Sequence, residues 1–146
     1  MRYVRLFLPL LLLCTNAYAL EITHKDFNAL VYNCYYEARD QGPQGMRAVT
    51  EVVLNRTKDR RYPNSAFEVV YQNRQFSWTS SAKLKEMHEA SLFTCEAIVF
   101  DVIADARLGT DFTHYYACSG AYEIDTPYWA QGRAVSKIND HCFVRL

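Results

Sequence analysis

Apolar residues in the first half of the chain recur at helical spacing. Phe27, Leu30, Val31, Cys34 and Ala38 form one stripe, which predicts a helix capped by Thr23 with Asp26 in its first turn. Glu37 stands three residues after Cys34, at the edge of that stripe. One side of it faces apolar groups and the other faces open space. Asp40-Gln41-Gly42-Pro43 ends this helix, because Gly42 frees the backbone and Pro43 suits a turn or a helix start. A second helix is predicted over about 44–56, with Met46, Val49, Val52 and Val53 inward. Glu51 falls opposite that face and reads as solvated or paired with a basic neighbour. A polar, basic loop follows over 58–65, then a short helix over 66–71. A long helical pattern covers 82–108, with Leu92, Cys95, Val99, Val102 and Ala106 as its stripe and Gly109 as its stop.

The remaining segments lack a clear period. Gln75-Phe76-Ser77-Trp78 puts two large aromatics between polar stretches, as a binding loop or as an apolar plug beneath one. Residues 113–118 predict a short strand or extended loop. Pro127-Tyr128-Trp129 predicts a turn carrying aromatics, and 136–145 an irregular or briefly extended segment. No repeat, low-complexity tract or long linker divides the 146 residues. The expectation is a single, mainly α domain with a short extended or irregular C-terminal segment.

The N-terminus changes this picture. Arg2 and Arg5 precede an apolar run over 6–13, too short to span a bilayer comfortably, and Ala17-Tyr18-Ala19 fits a small-x-small cleavage site. Residues 1–19 therefore read as a secretory signal peptide and 20–146 as the functional domain. A lipidated Cys14 fits less well because Leu13 precedes it, and an uncleaved anchor is the other reading. Cleavage removes two arginines and no acid, turning 16 basic against 16 acidic residues into 14 against 16, a net of −2. That balance excludes a basic nucleic-acid binder and a cationic protein held to acidic polymers by charge. Five cysteines become four, Cys34, Cys95, Cys118 and Cys142, an even set that predicts two disulfides in an exported chain. Cys34–Cys95 with Cys118–Cys142 is the favoured pairing. The first two lie on helix stripes and the last two flank one C-terminal segment. The alternative is free, buried thiols. The expected location is secreted or periplasmic, as a monomer with no stable membrane association after cleavage.

Glu37 carries the candidate chemistry. A carboxyl set against apolar groups has a raised pKa and can act as a general acid. Glycosidases commonly recruit a second carboxylate. Glu51, Asp40 and Asp111 are the candidates, and none shares the stripe position of Glu37. One acid suffices where the substrate supplies its own nucleophile. In lytic transglycosylation the C6 hydroxyl of N-acetylmuramic acid does so. The competing reading makes Glu37 a helix-surface residue paired with Arg39 or Arg56. His24, His88, His114 and His141 show no metal-ligand spacing, so no metal is expected. A nucleophilic pair of Cys118 or Cys142 with His114 or His141 conflicts with the expected disulfides. No Gly-rich phosphate loop or other cofactor signature is present.

Tyr36-Glu37-Ala38-Arg39, Gly42-Pro43-Gln44-Gly45, Ala48-Val49, Glu51 to Arg56, Tyr62-Pro63 and Gln75-Phe76-Ser77-Trp78 occur in that order. His114-Tyr115-Tyr116, Pro127, Trp129, Ile138, His141 and Phe143 follow. Over about 31–145 this set resembles the cell wall hydrolases related to the spore cortex-lytic enzymes. The resemblance implies a lysozyme-like, mainly helical fold and peptidoglycan glycan strands as partner. It implies cleavage between N-acetylmuramic acid and N-acetylglucosamine without a metal, with Glu37 as the acid. Residue type and motif position suggest Gln75, Ser77 and Tyr115 as hydrogen-bonding residues and Trp78, Tyr116 and Trp129 as stacking or lining residues. Tyr35-Tyr36 departs from the His-Gly or Tyr-Cys often found before the glutamate. Asn139 stands where a glycine commonly precedes the final histidine by two residues. The alternative function is a glycan-binding envelope protein of the same fold without catalysis.

Overall fold

A computed structural model describes residues 21–81, 86–105, 108–118 and 126–146. The signal-peptide reading of 1–19 and the stripe residue Ala106 lie outside these. Helix α1, His24–Ala38, starts at a capping box. Thr23 Oγ1 accepts from Asp26 N, and the Asp26 carboxylate accepts from Thr23 N at 3.1 Å, so two donors at the helix start are satisfied together. Helix α2, Gly42–Thr57, begins at the Gly-Pro pair, two residues before the predicted start. Gly42 has φ 64, a left-handed conformation that lets the chain reverse from α1 into α2. Helix α3, Ala66–Val70, and a 3-10 turn, Ser77–Ser80, follow. Helix α4, Glu89–Ala104, is shorter than the pattern over 82–108 suggested, with 86–88 outside the helix.

The core lies among the four helices. Leu30, Val49, Val52, Val53, Val69, Val99 and Val102 are fully buried there, each contributing roughly 1.5–3 kcal/mol by leaving water. A disulfide between Cys34 and Cys95, with Cα atoms 5.8 Å apart, ties α1 to α4 one turn before Glu37. A second joins Cys118 to Cys142, with Cα atoms 5.7 Å apart. Both match the favoured pairing and take all four thiols out of nucleophilic chemistry.

The C-terminal segment, expected to be irregular or briefly extended, contains a hairpin. Strands β1, His114–Ala117, β2, Val135–Ile138, and β3, His141–Val144, form an antiparallel sheet in the order β1-β3-β2. Tyr115 pairs with Phe143 across the first ladder, and Ile138 with His141 across the second. Asn139 turns the hairpin at φ 51, which explains why glycine suits this position and why asparagine, tolerant of left-handed backbone, replaces it. Its side chain also donates to the Gln41 carbonyl, and Asp140 N donates to Gln41 Oε1 at 3.0 Å. The hairpin is thereby fastened to the α1–α2 turn. Phe143 is buried in the helical core, so the sheet sits against the end of α1 that carries Glu37.

Candidate active site

Glu37 occupies the last turn of α1, half-buried, on the wall of an open cavity of about 440 Å³. Three parts of the chain meet there. The helices supply Glu37 and Arg56. The loop after α3 supplies Arg74, Gln75, Phe76, Ser77 and Ser80. Strand β1 supplies Tyr115. Among the described residues, Glu37 is the one carboxylate in this lining.

The Tyr115 hydroxyl donates to Glu37 Oε2 at 3.0 Å. Burial pushes the Glu37 carboxyl above its ordinary range, and the Tyr115 hydrogen bond partly opposes that rise. Tyr115 is itself pushed well above the usual phenol range, first by burial and then by the neighbouring Glu37, so it remains a donor. The predicted pairing of Glu37 with Arg39 or Arg56 is not formed. Arg39 lies over the Tyr35 ring, 4.9 Å from its centroid. Arg56, 5% exposed, donates from Nε to the Thr113 carbonyl at 2.7 Å and from Nη1 to Gln75 Oε1 at 3.0 Å.

The other predicted site residues divide into three groups. Gln75 and Ser77 line the cavity beside Glu37. Trp78 does not. It is 9% exposed, donates from Nε1 to Asn33 Oδ1 at 3.1 Å and stacks on Tyr36 with centroids 4.8 Å apart. Of the two readings for that loop, Trp78 takes the plug position. The departure at Tyr35-Tyr36 gains its reason here. Tyr36 meets Trp78, while the Tyr35 hydroxyl accepts from His88 N at 3.0 Å and fastens the approach to α4. Tyr116 and Trp129 also lie outside the cavity lining. Side chains alternate along β1, so Tyr116 points away from the Tyr115 side. It meets Trp129 edge-on at 5.6 Å, and Trp129 lies 5.4 Å from His114.

Glu51, read from the sequence as solvated or paired, is paired but buried, at 1% exposure. It accepts from Arg47 Nε at 2.9 Å, Gly109 N at 3.0 Å and Thr110 Oγ1 at 2.7 Å. A Cβ on Gly109 would stand 3.3 Å from the carboxylate, so the loop approaches as closely as a glycine allows. Among the described residues no cluster of three His, Cys, Asp or Glu can hold a metal, and no helix is long and apolar enough to cross a membrane.

The sequence model of the Cell Wall Hydrolase family matches residues 40–144. The chain belongs to the Cell Wall Hydrolase family. Glu37 stands just before the matched stretch, whereas Arg56, the 74–80 loop and Tyr115 fall within it. The fold of this cell wall hydrolase is similar to the crystal structure of the catalytic domain of the Bacillus cereus SleB protein. The TM-score is 0.70 and the identity 23%, over 86% of this chain and 93% of that one. It is also similar to the catalytic domain of a germination-specific lytic transglycosylase, SleB from Bacillus anthracis. There the TM-score is 0.63 and the identity 23%, over 89% and 98% of the two chains. No curated protein sequence matches the chain.

Arg56, Arg74 and Ser80 line the cavity without having stood out in the sequence as site residues. Arg56 ends the quoted run from Glu51, which was its one signal. Nothing in the sequence marks Arg74, whose place on the wall comes from a left-handed backbone at φ 63.

Proposed function

We propose that this chain is an exported glycosidase that cleaves peptidoglycan glycan strands between N-acetylmuramic acid and N-acetylglucosamine by lytic transglycosylation. Glu37 is its acid and base, and residues 1–19 are its cleaved signal. The observation that carries the reading is a carboxyl on the cavity wall, the one carboxylate there among the described residues, raised by burial and held by the Tyr115 phenol.

A raised carboxyl is protonated closer to neutrality and can give its proton to the glycosidic oxygen. The bond from the muramyl anomeric carbon to that oxygen breaks, and N-acetylglucosamine leaves as the alcohol. The muramyl C6 hydroxyl then attacks the anomeric carbon and returns its proton to Glu37. The product is a 1,6-anhydro sugar, no water is consumed, and Glu37 ends as it began. Tyr115 orients the carboxyl throughout. Gln75 and Ser77, beside Glu37, are suited to hydrogen-bond the sugars. Net charge near neutrality, four cysteines in two disulfides and family membership support action outside the cytoplasm on the cell wall.

The test is to digest purified sacculi with the mature chain and with Glu37→Gln, then identify the products by mass spectrometry. Anhydro-muropeptides that vanish with Glu37→Gln are expected. Reducing ends would replace transglycosylation with hydrolysis. Glycan binding without any product would favour the non-catalytic binding protein.

A further inference from the structure

Two arginines of the cavity are not used by the chemistry above. Arg56 is buried, yet its protein acceptors are a backbone carbonyl and a neutral amide. Among the described residues it has no carboxylate within ion-pair distance; its guanidinium lies 5.2 Å from the Tyr62 ring centroid and 5.5 Å from that of Phe76, and it lines the cavity. A buried guanidinium normally has a counter-ion, because burial of an unpaired charge is costly. Arg74, exposed on the same wall, holds φ 63, a left-handed conformation that costs a non-glycine residue energy. Such strain concentrates at functional sites, and here it sets a second guanidinium at the cavity that holds Arg56. Glu37 does not serve as their counter-ion: among the described residues it forms no ion pair with Arg56 or Arg74, and its Oε2 accepts from the Tyr115 hydroxyl.

We propose that Arg56 and Arg74 form a carboxylate subsite that binds an ionised carboxylate carried on the muramyl residue of the glycan. This rests on the glycan-strand reading of the cavity. Two sources offer the same chemistry: the free lactyl carboxylate of a peptide-stripped muramyl residue, or a carboxylate of the attached peptide. Either meets a planar guanidinium with charge-assisted hydrogen bonds and supplies the charge that Arg56 lacks.

The test measures binding in the Glu37→Gln background, so that turnover cannot intervene. Soluble peptide-bearing and peptide-stripped strands are each prepared with carboxylates ionised or converted to methylamides, and their dissociation constants are determined by calorimetry. Ionised strands are expected to bind roughly tenfold more tightly than amidated ones at low salt, with the ratio shrinking as salt rises. Arg74→Gln, at an exposed position where folding is not at risk, should cut that ratio several-fold. Arg56→Lys should cut it partly, since charge remains but the fork does not. The strand type that keeps the preference names the source. Equal binding of ionised and amidated strands, absence of binding to all four, or a ratio unaltered by Arg74→Gln would overturn the subsite. Failure of wild type to cleave would instead overturn the glycosidase reading, and the binding ratio would still stand.

Discussion

Glu37 and Glu51 sit on the packed helices α1 and α2, and the surroundings of each carboxyl decide what it can do. Glu51 is the more buried and receives three donors, from Arg47, Gly109 and Thr110. Among the described residues Glu37 receives one, from Tyr115, and it faces a cavity. Donors that saturate a carboxyl make it a tie between chain segments, here holding the loop that leads into β1. Burial with a single donor leaves the proton free to come and go. Depth alone therefore does not decide whether a buried carboxyl can exchange a proton.

The comparison can be strained from both sides. Glu51→Ala strips three donors of their acceptor in a buried place and should lower unfolding stability by about 2–4 kcal/mol in urea titration. A loss under about 0.5 kcal/mol would show that the carboxyl is no tie. Tyr115→Phe removes the phenolic donor on Glu37. Activity on sacculi should fall roughly tenfold, about 1.4 kcal/mol. That hydrogen bond lowers the Glu37 pKa, so its loss must move the alkaline limb of kcat/KM to higher pH, and a shift downward would contradict the assignment.

His114 offers a smaller effect on the sheet side of the site. Burial, aided by Arg56, Arg61 and Arg133, holds it at about 4, below its ordinary 6.5. The folded state therefore keeps it neutral, and the unfolded chain takes up the proton first. Its contribution to stability is full above pH 6.5 and is lost as pH falls toward about 4. His114→Gln should flatten thermal stability across that window, and an unaltered slope would count against the burial. The smallest effect belongs to Glu37 itself. Its raised pKa means the fold disfavours the charged form, so Glu37→Gln should raise stability at pH 7 by less than about 1 kcal/mol. The gain should fade as pH drops through the folded pKa toward the ordinary carboxyl range. A clear loss of stability would make Glu37 resemble Glu51.

The helices were legible because their stripes bury apolar groups at 3.6-residue spacing and their ends carry local signals, the Thr23–Asp26 box and the Gly42-Pro43 turn. The sheet was not, since four-residue strands show too little alternation to read. Its register rests on contacts distant in sequence, such as Asn139 with Gln41. The site divides along the same line. Glu37 could be read from one helix edge, and Gln75 and Ser77 from a loop motif. Burial of Glu51 depends on a loop 58 residues away, and the withdrawal of Trp78 depends on Asn33 and Tyr36. No local pattern encodes either.

Glu37, and not Glu51, is proposed as the acid of this cell wall hydrolase. This assignment is tested most directly by the initial rate of glycan cleavage for Glu37→Gln and Glu51→Gln, each normalised to its folded fraction by circular dichroism. A loss of roughly 10²–10⁴ is expected for Glu37→Gln in a folded protein, as for a missing general acid, with near wild-type turnover per folded molecule for Glu51→Gln. A folded Glu37→Gln that cleaves within a few-fold of wild type would contradict the assignment.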